Sequence, residues 1–328
     1  MSKQNDFKPL NVILINLFLL CFGTIYSQNA KVDTVKIGAF ISSLNDFDIG
    51  SNTINADIHL WCIYNDSNYN FEKEIEFINC NEFSYNGTSS EKIENQYWFY
   101  TKALIKSRQK FSTKNYPFDT QKVIFSIESS EYTTDDFVFK PDISGSKLDS
   151  IVYSQFDDWV IDDVSFTSTS TLYKTSFGDP TALNSSSPRF DIAISISRTG
   201  SWLILFKLIT GIIVAFLISS CVFWIKPINT DPRFGLCVGG LFAAIGNKYI
   251  VESIIPTTNE LTLLDYLHNI TFIFIFLIII ISVISLRLYE QENEKLKKIS
   301  EKIDLISYII ITVMYFTFIS YYILIFSK

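Results

Sequence analysis

Histidine and cysteine are scarce in this chain, with two and five residues among 328. Groups that pair a nucleophile with a base, cradle a phosphate or bind a metal do not occur at the spacings such sites use. The sequence therefore predicts neither an enzyme nor a protein with a cofactor or metal site. Cys21, Cys221 and Cys237 lie in apolar runs. The remaining pair, Cys62 and Cys80, is the candidate for a disulfide in the polar domain, which their spacing alone does not establish.

Hydrophobic residues, in contrast, make up 48 % of the sequence and gather in long runs. A helix needs about 20 apolar residues to cross a membrane. Four runs in the last third of the chain have that length. The predicted membrane helices cover about 202–225, 234–255, 264–286 and 304–326. The sequence thus divides into a polar domain over 28–197 and a transmembrane domain over 198–328.

The N-terminus carries a further apolar run, which follows Lys3 and Lys8. Basic residues ahead of a short apolar stretch are typical of a secretory signal peptide, predicted here over residues 1–27. The alternative is a first membrane anchor. Asn11 and Asn16 interrupt the run and leave it short for a spanning helix, which favours the signal peptide.

Basic residues in the loops orient the four spans. The connections at 226–233 and 287–303 contain Lys and Arg, whereas the connection at 256–265 contains acids and no basic residue. The first two are therefore predicted to be cytoplasmic. The sequence then predicts a multi-pass protein of the cell membrane, with the 28–197 domain and the C-terminus extracellular or periplasmic.

The polar domain is rich in short runs with alternating apolar and polar residues. Such runs, separated by turn residues, are typical of β-strands. They occur at 35–42, 55–64, 97–107, 122–130, 158–170 and 189–198. The sequence predicts a β + α fold class, in which an extracellular antiparallel β-sandwich is followed by a four-helix transmembrane domain.

The stretch YPFDTQK at 116–122 resembles the signature loop of the pentameric ligand-gated ion channels, the Cys-loop receptor superfamily. Three further stretches are similar to that family and occur in its order. GAFISSLNDFD with NADIHLWC resembles its first two strands, ISISR ending at Arg198 its last strand, and VESIIP at 251–256 the outer end of its second span. The resemblance covers most of the chain after residue 34 and implies a homopentamer.

The chain departs from the family at two places. Gln109 and Val123 stand where vertebrate members have the two cysteines of the loop disulfide. The chain is therefore similar to the bacterial branch, which lacks that disulfide. The region 65–96 is shorter than in the family and lacks its Trp-x-Pro stretch, which puts a conventional ligand pocket in doubt.

The resemblance implies a coupling interface between the two domains. Its predicted residues are Asp48, Tyr116, Pro117, Phe118, Asp119, Arg198 and Pro256. A carboxylate in a packed junction is costly without a partner, and Arg198 with its planar fork suits Asp119, with Asp48 as a second acid. The alternative is that Asp119 only caps its turn.

The second span is the predicted pore helix. A stripe at helical spacing faces the axis when VESIIP is aligned with the family. The predicted pore-lining residues are Asp231, Gly235, Gly239, Phe242, Gly246, Tyr249, Glu252 and Ser253. Rings of Phe242 would form a hydrophobic constriction, and rings of Asp231 or Glu252 would favour cations, while Arg233 opposes that bias.

Two alternatives stand beside this interpretation of the span. Gly235-x-x-x-Gly239 is a small-residue spacing that membrane helices also use for close packing. Lys248 precedes Glu252 by four residues, so it either pairs with that acid or lines the outer vestibule.

Ligand binding rests on aromatic residues of the polar domain. Trp98, Trp159 and Tyr173 are candidates for an intersubunit pocket with cation–π contacts, and the alternative places them in the sandwich core. The sequence thus predicts a cation-biased channel subunit that binds membrane lipid, permeant inorganic ions and a small-molecule or proton agonist, with no nucleic acid partner. The rival prediction is a nonconducting membrane-anchored binding or adhesion module of the same fold.

Overall fold

The computed structural model describes residues 32–156, 158–178, 180, 184–255, 260–291 and 293–327. The predicted signal peptide over 1–27 lies outside the described residues. Within them, a β-rich half ends at Arg198 and a helical half begins at Ser201. The change from strands to long helices therefore lies between Arg198 and Ser201.

Ten strands occur in the described part of the β-rich half, with two short helices between them. The strands are β1 (Asp33–Asp48), β2 (Thr53–Tyr64), β3 (Ile75–Phe77), β4 (Cys80–Ile93), β5 (Gln96–Arg108), β6 (Thr120–Ser129), β7 (Phe137–Pro141), β8 (Lys147–Leu148), β9 (Trp159–Tyr173) and β10 (Ser185–Arg198). The short helices are α1 (Phe71–Glu74) and α2 (Ser150–Gln155).

The strands form two sheets. One has the order β4-β5-β2-β1-β7 with β8 beside β1, and the other has the order β3-β6-β10-β9. Most neighbours are antiparallel, but β1 runs parallel to both β7 and β8, which differs from the fully antiparallel prediction. Strand β7 is far from β1 in the sequence and is not its hairpin partner, so a parallel direction is open to it. Strand β8 follows β7 after only residues 142–146 and continues along β1 in the same direction.

One hydrophobic cluster contains residues of both sheets. In β2 every second residue is buried, as the alternation of TINADIHLWCIY predicts, and Ile58 is fully covered. Ile37 and Phe99 join it from the same sheet, and Phe125 and Ile192 from the other. Apolar side chains on one face of each sheet thus account for the stability of this half.

Cys62 and Cys80 are free thiols in the structure. Cys62 pairs with Phe99 of β5, and Cys80 pairs with Ser107 of the same strand. The two partners are eight residues apart along β5, a distance of about 26 Å. A disulfide needs Cα atoms within about 7 Å, so these two cysteines do not bridge within the chain.

Four helices follow that are long and apolar enough to cross a membrane. They are α3 (Ser201–Ser220, extended by a 3-10 turn to Trp224), α4 (Thr230–Ile254), α5 (Leu263–Tyr289) and α6 (Glu294–Phe326). The chain therefore has the character of a multi-pass membrane protein. Helix α6 begins ten residues before the predicted span at 304, because the lysine-rich segment between the spans is itself helical.

Strand β10 passes into α3 with only Thr199 and Gly200 between them. Gly200 has a φ of 65°, a left-handed conformation that glycine adopts without strain. The N–H of Thr199 donates to the carbonyl of Asp158 at 3.0 Å, next to the start of β9. The last strand is therefore joined to the first membrane helix by a short, hydrogen-bonded connection.

Candidate functional site

The loop between β5 and β6, residues 109–119 and called the junction loop below, is closed at its base by two glutamine side chains. Oε1 of Gln109 accepts from the N–H of Ile124 at 2.8 Å. Gln121 exchanges two hydrogen bonds with the backbone of Ser112, accepting from its N–H at 3.2 Å and donating to its carbonyl at 2.6 Å. Hydrogen bonds from two glutamine side chains thus hold the base of the loop together.

The tip of the junction loop rests on the membrane helices. Tyr116 is buried in a hydrophobic cluster whose other members come from the helical half, and Pro117 is buried beside it. Phe118 contacts Trp202 of α3 edge to face, with ring centres 4.8 Å apart. The carbonyl of Lys114 accepts from the N–H of Leu263, at the start of α5, at 3.2 Å. The loop therefore touches the first turns of two helices at once.

Asp119 and Arg198 form a bidentate ion pair at this junction. Nε of Arg198 donates to Oδ1 at 2.9 Å, and a terminal nitrogen donates to Oδ2 at 3.2 Å. Gln121 donates to the same Oδ2 at 3.1 Å. Asp119 is 2 % exposed, so the predicted pairing accounts for a buried carboxylate. The alternative role of Asp119, a cap of its own turn, does not account for the bidentate contact with Arg198.

Two aromatic rings enclose the Arg198 guanidinium group. Its central carbon lies 4.8 Å from the ring centre of Tyr116 and 4.3 Å from that of Trp159. Arginine prefers such faces because the ring quadrupole attracts the cation and the planar group stacks well. The junction therefore joins the start of β9, the end of β10 and the tip of the junction loop around a single side chain.

Asp48 has a different partner from the predicted one. Its carboxylate accepts from the hydroxyl of Ser51 at 2.7 Å and from the N–H of Gly50 at 2.8 Å, in the turn after β1. These hydrogen bonds, led by that of Ser51, lower the pKa of Asp48 from its ordinary value. Asp48 thus stabilises its own turn, as Asp often does. Pro256, the remaining predicted coupling residue, lies outside the described residues.

All eight predicted pore-lining residues lie on the exposed face of α4 within the single chain. Phe242 and Tyr249 are 68 % and 70 % exposed. The opposite face packs against the other helices through Arg233, Cys237, Gly240, Ala244 and Val251. Asp231 and Arg233 are two residues apart, which is about 200° around a helix, so the predicted stripe and the packed face are opposite.

The glycines of α4 also lie on two different faces of the helix, one open and one packed. A methyl group added to Gly235 or Gly239 would meet nothing within 4 Å, so this pair does not pack against another helix of the same chain. At Gly240 the added carbon would collide with Oγ of Ser219 and lie 2.8 Å from the carbonyl oxygen of Ala215. The close contact between α3 and α4 therefore uses Gly240, not the predicted small-residue pair.

The charged residues of α4 have distinct partners. Lys248 pairs with Glu252 at 3.5 Å, which is the i, i+4 alternative predicted from the sequence. Arg233 is buried and forms a bidentate ion pair with Asp304 of α6, whereas Asp231 is exposed. Arg233 therefore does not share the exposed face with Asp231.

The three aromatic ligand-site candidates do not come together in one chain. Trp159 and Tyr173 stand at opposite ends of β9, about 45 Å apart at a strand's rise per residue. Trp159 belongs to the junction, and the Tyr173 hydroxyl donates to Glu128 at 2.8 Å. Trp98 stacks on Tyr100 and lines an open groove of about 450 Å³. A pocket within one chain thus cannot contain all three.

Several functional contacts were not predicted from the sequence. Asp304 is the clearest, although an acid at the edge of an apolar run is a signal that could have identified it. The hydrogen bond between Nε2 of His268 and Oδ1 of Asn247, 3.0 Å long, joins α5 to α4. Among the described residues, no group of three or more His, Cys, Asp or Glu side chains is placed to hold a metal ion.

Comparison of the sequence with models of protein families and with curated proteins finds no match.

Proposed function

We propose that this chain is a subunit of a homopentameric ligand-gated ion channel, similar to the Cys-loop receptors of bacteria. The two sheets act as an exported β-sandwich that senses a small molecule or protons, and α4 lines the pore. The observation that carries the proposal is the junction: Tyr116 lies among the membrane helices while Asp119, on the same loop, binds Arg198 at the end of β10.

The contacts of the junction suit the transmission of movement. A bidentate pair between buried groups fixes orientation as well as distance, so Asp119 and Arg198 move together. Arg198 is three residues from the start of α3, and Lys114 binds the first turn of α5. A movement of the sheets is therefore transmitted to α3 and α5, the helices that precede and follow α4 in the sequence.

The exposed face of α4 supports the pore assignment. It carries small residues and two large rings, Phe242 and Tyr249, between the acids Asp231 and Glu252 at its ends. Carboxylates at the ends of a membrane segment are costly in lipid but favourable beside a column of water. With five copies around an axis, Phe242 forms the narrow apolar ring that closes the pore by dewetting.

The charges of the loops set the proposed orientation, with the sheets outside the cell membrane and the start of α4 in the cytoplasm. Asp231 then lies at the cytoplasmic mouth and Glu252 toward the outer mouth. Because carboxylate rings attract cations, the proposed channel is cation-biased.

The experiment is a recording from the full chain in a planar bilayer, with the number of copies measured by native mass spectrometry. The proposal predicts five copies and a cation-selective current that depends on pH or an added ligand. Asp231→Asn should reduce the cation preference under a salt gradient. A different copy number, or five-copy assemblies that stay silent at every pH tested and in pore variants with a small residue at 242, would favour a nonconducting binding module instead.

A further inference from the structure

The start of α4 is tied to α6 by one buried ion pair. A terminal nitrogen of Arg233 donates to Oδ2 of Asp304 at 2.9 Å, and the other donates to Oδ1 at 2.7 Å. The first nitrogen also donates to the carbonyl of Ile225 at 3.0 Å, just before α4. Arg233 has 0 % of its side chain exposed and Asp304 has 4 %. The pair thus links α4, α6 and the connection after α3.

Asp304 is essential to this arrangement because a buried guanidinium group without a carboxylate is strongly disfavoured. Nε of Arg233 has no hydrogen-bond partner within the described part of the chain, so the terminal nitrogens make all of its described hydrogen bonds. Two of these three bonds end on Asp304. Without Asp304, the guanidinium group would therefore leave its site for a more polar position.

Asp231 is the exposed acid at the same end of α4, two residues before Arg233. Side chains two residues apart on a helix do not face each other, so the two do not form a direct pair. A released Arg233 cation would nevertheless lie within the roughly 10 Å over which charges act in salt solution. It would therefore oppose the field of the Asp231 carboxylate.

We propose that Asp304 determines the charge selectivity of the pore, although it stands on α6 and not on α4. It acts as a positioning residue that holds the Arg233 cation away from the cytoplasmic mouth and leaves the Asp231 carboxylates unopposed. This inference rests on the proposed channel function. It adds that a residue outside the pore sets which ions pass.

The test compares reversal potentials under a salt gradient for the wild-type chain, Asp304→Asn and the double variant Arg233→Gln/Asp304→Asn. Fields at a charged mouth change local ion concentrations by tenfold or more, so Asp304→Asn should lower the cation-to-anion permeability ratio about tenfold. The double variant has lost the released cation, so its ratio should return to the wild-type value. Glu301→Gln, an exposed acid one turn earlier on α6, is the matched control and should leave the ratio unchanged.

Heat stability of the purified assembly supplies a readout that does not depend on current. It should fall for Asp304→Asn and recover in the double variant, because the unpaired buried charge is gone. If Asp304→Asn fails to assemble, Arg233→Lys/Asp304→Asn replaces it, because the lysine keeps a cation without a carboxylate partner and should lower the ratio in the same direction. A ratio in the double variant that rises above wild type means that Arg233 already acts on the mouth, which overturns the inference.

An assembled Asp304→Asn channel with the wild-type ratio also overturns it, and so does a double variant that is as poorly selective as the single one. Failure of the channel proposal has a separate signature, because then wild type and all variants carry no current while the stability pattern is retained.

Discussion

The guanidinium group of Arg198 meets the carboxylate of Asp119 edge to edge, with nitrogen–oxygen distances of 2.9 and 3.2 Å. The two residues are 79 positions apart in the sequence, with Asp119 in the junction loop and Arg198 at the end of β10. Their contact lies where the sheets end and the membrane helices begin. The pair is therefore both a structural link and the proposed route by which the two halves communicate.

We expect Asp119→Ala and Arg198→Ala each to destabilise the chain by about 3 to 5 kcal/mol, because each leaves a buried charge unpaired. The double variant should be no less stable than the worse single variant, because the second substitution removes the charge that the first left unpaired. A double-mutant cycle of thermal unfolding would measure this coupling between the two residues.

The matched control is the half-exposed pair of Lys102 and Asp57, with an ion-pair distance of 2.9 Å. Its coupling should be about 0.2 to 1 kcal/mol, as for other solvent-accessible pairs. A coupling at Asp119 and Arg198 that does not exceed this control value would argue against the junction as described.

Closure of the junction loop by Gln109 gives a second prediction. Gln109→Met removes the acceptor for the N–H of Ile124, and leaving a covered donor without a partner costs about 1 to 3 kcal/mol. Gln109→Glu keeps an acceptor oxygen at that position and should lose less stability. Thermal unfolding of both variants tests this, with the exposed Gln96→Met as the control. Equal losses for the Met and Glu variants would contradict the assigned hydrogen bond.

The pH dependence of the β-rich half should reflect His59. Burial, and then the charge of Lys102, lower the pKa of His59 from its ordinary value of 6.5, while Asp57 opposes the shift. The folded chain therefore binds this proton less readily than the unfolded chain. Its contribution is fully present above pH 6.5 and is lost as the pH falls from 6.5 toward the lowered pKa.

His59→Gln keeps a group that can hydrogen bond to the hydroxyl of Tyr100, which contacts Nδ1 of His59 at 2.7 Å. The melting temperature of this variant should fall less than that of wild type when the pH is lowered through that range. If both proteins lose the same amount, His59 is not the group responsible.

Gly239 and Gly240 provide a pair of neighbouring positions with opposite expectations. Gly240→Ala places a methyl group against Ser219 and the backbone of Ala215, so α3 and α4 must separate and the assembly should become less heat-stable. Gly239→Ala meets open space and gains about 1 kcal/mol of helix propensity, so it should be tolerated. Equal effects of the two substitutions on melting temperature would contradict the packing of these helices.

Much of the fold was predictable because period-two alternation marks half-buried strands and long apolar runs mark membrane helices. The runs at 35–42 and 55–64 became β1 and β2 for that reason. Strand β4 was missed: it lies at the sheet edge with most residues exposed, so CNEFSYNGTSSEKI shows no buried face. The parallel pairing of β7 with β1 was missed because pairing direction depends on distant segments, not on local pattern.

The contacts of the candidate site were likewise predicted only in part. Asp119 and Arg198 were predicted through the resemblance, since spacing alone does not relate residues 79 positions apart. Asp48 was assigned to the same cluster, but its carboxylate binds two donors of its own turn, Gly50 and Ser51, instead of Arg198. Asp304 was missed because a single acid near a helix start has many possible partners until the helices are packed.

The most direct measurement is ion flux into liposomes that contain the Phe242→Ala variant. Replacing a ring of apolar side chains by small ones removes a dewetted barrier, so the pore should stay open without agonist. We expect the K⁺ flux to rise at least tenfold above wild type, which corresponds to a barrier lower by about 1.4 kcal/mol or more. Phe276→Ala, on the exposed face of α5 with 62 % exposure against 68 % for Phe242, is the matched control and should not leak. Leak from Phe242→Ala alone supports the account, whereas equal flux from both variants, or none from either in confirmed five-copy assemblies, would contradict it.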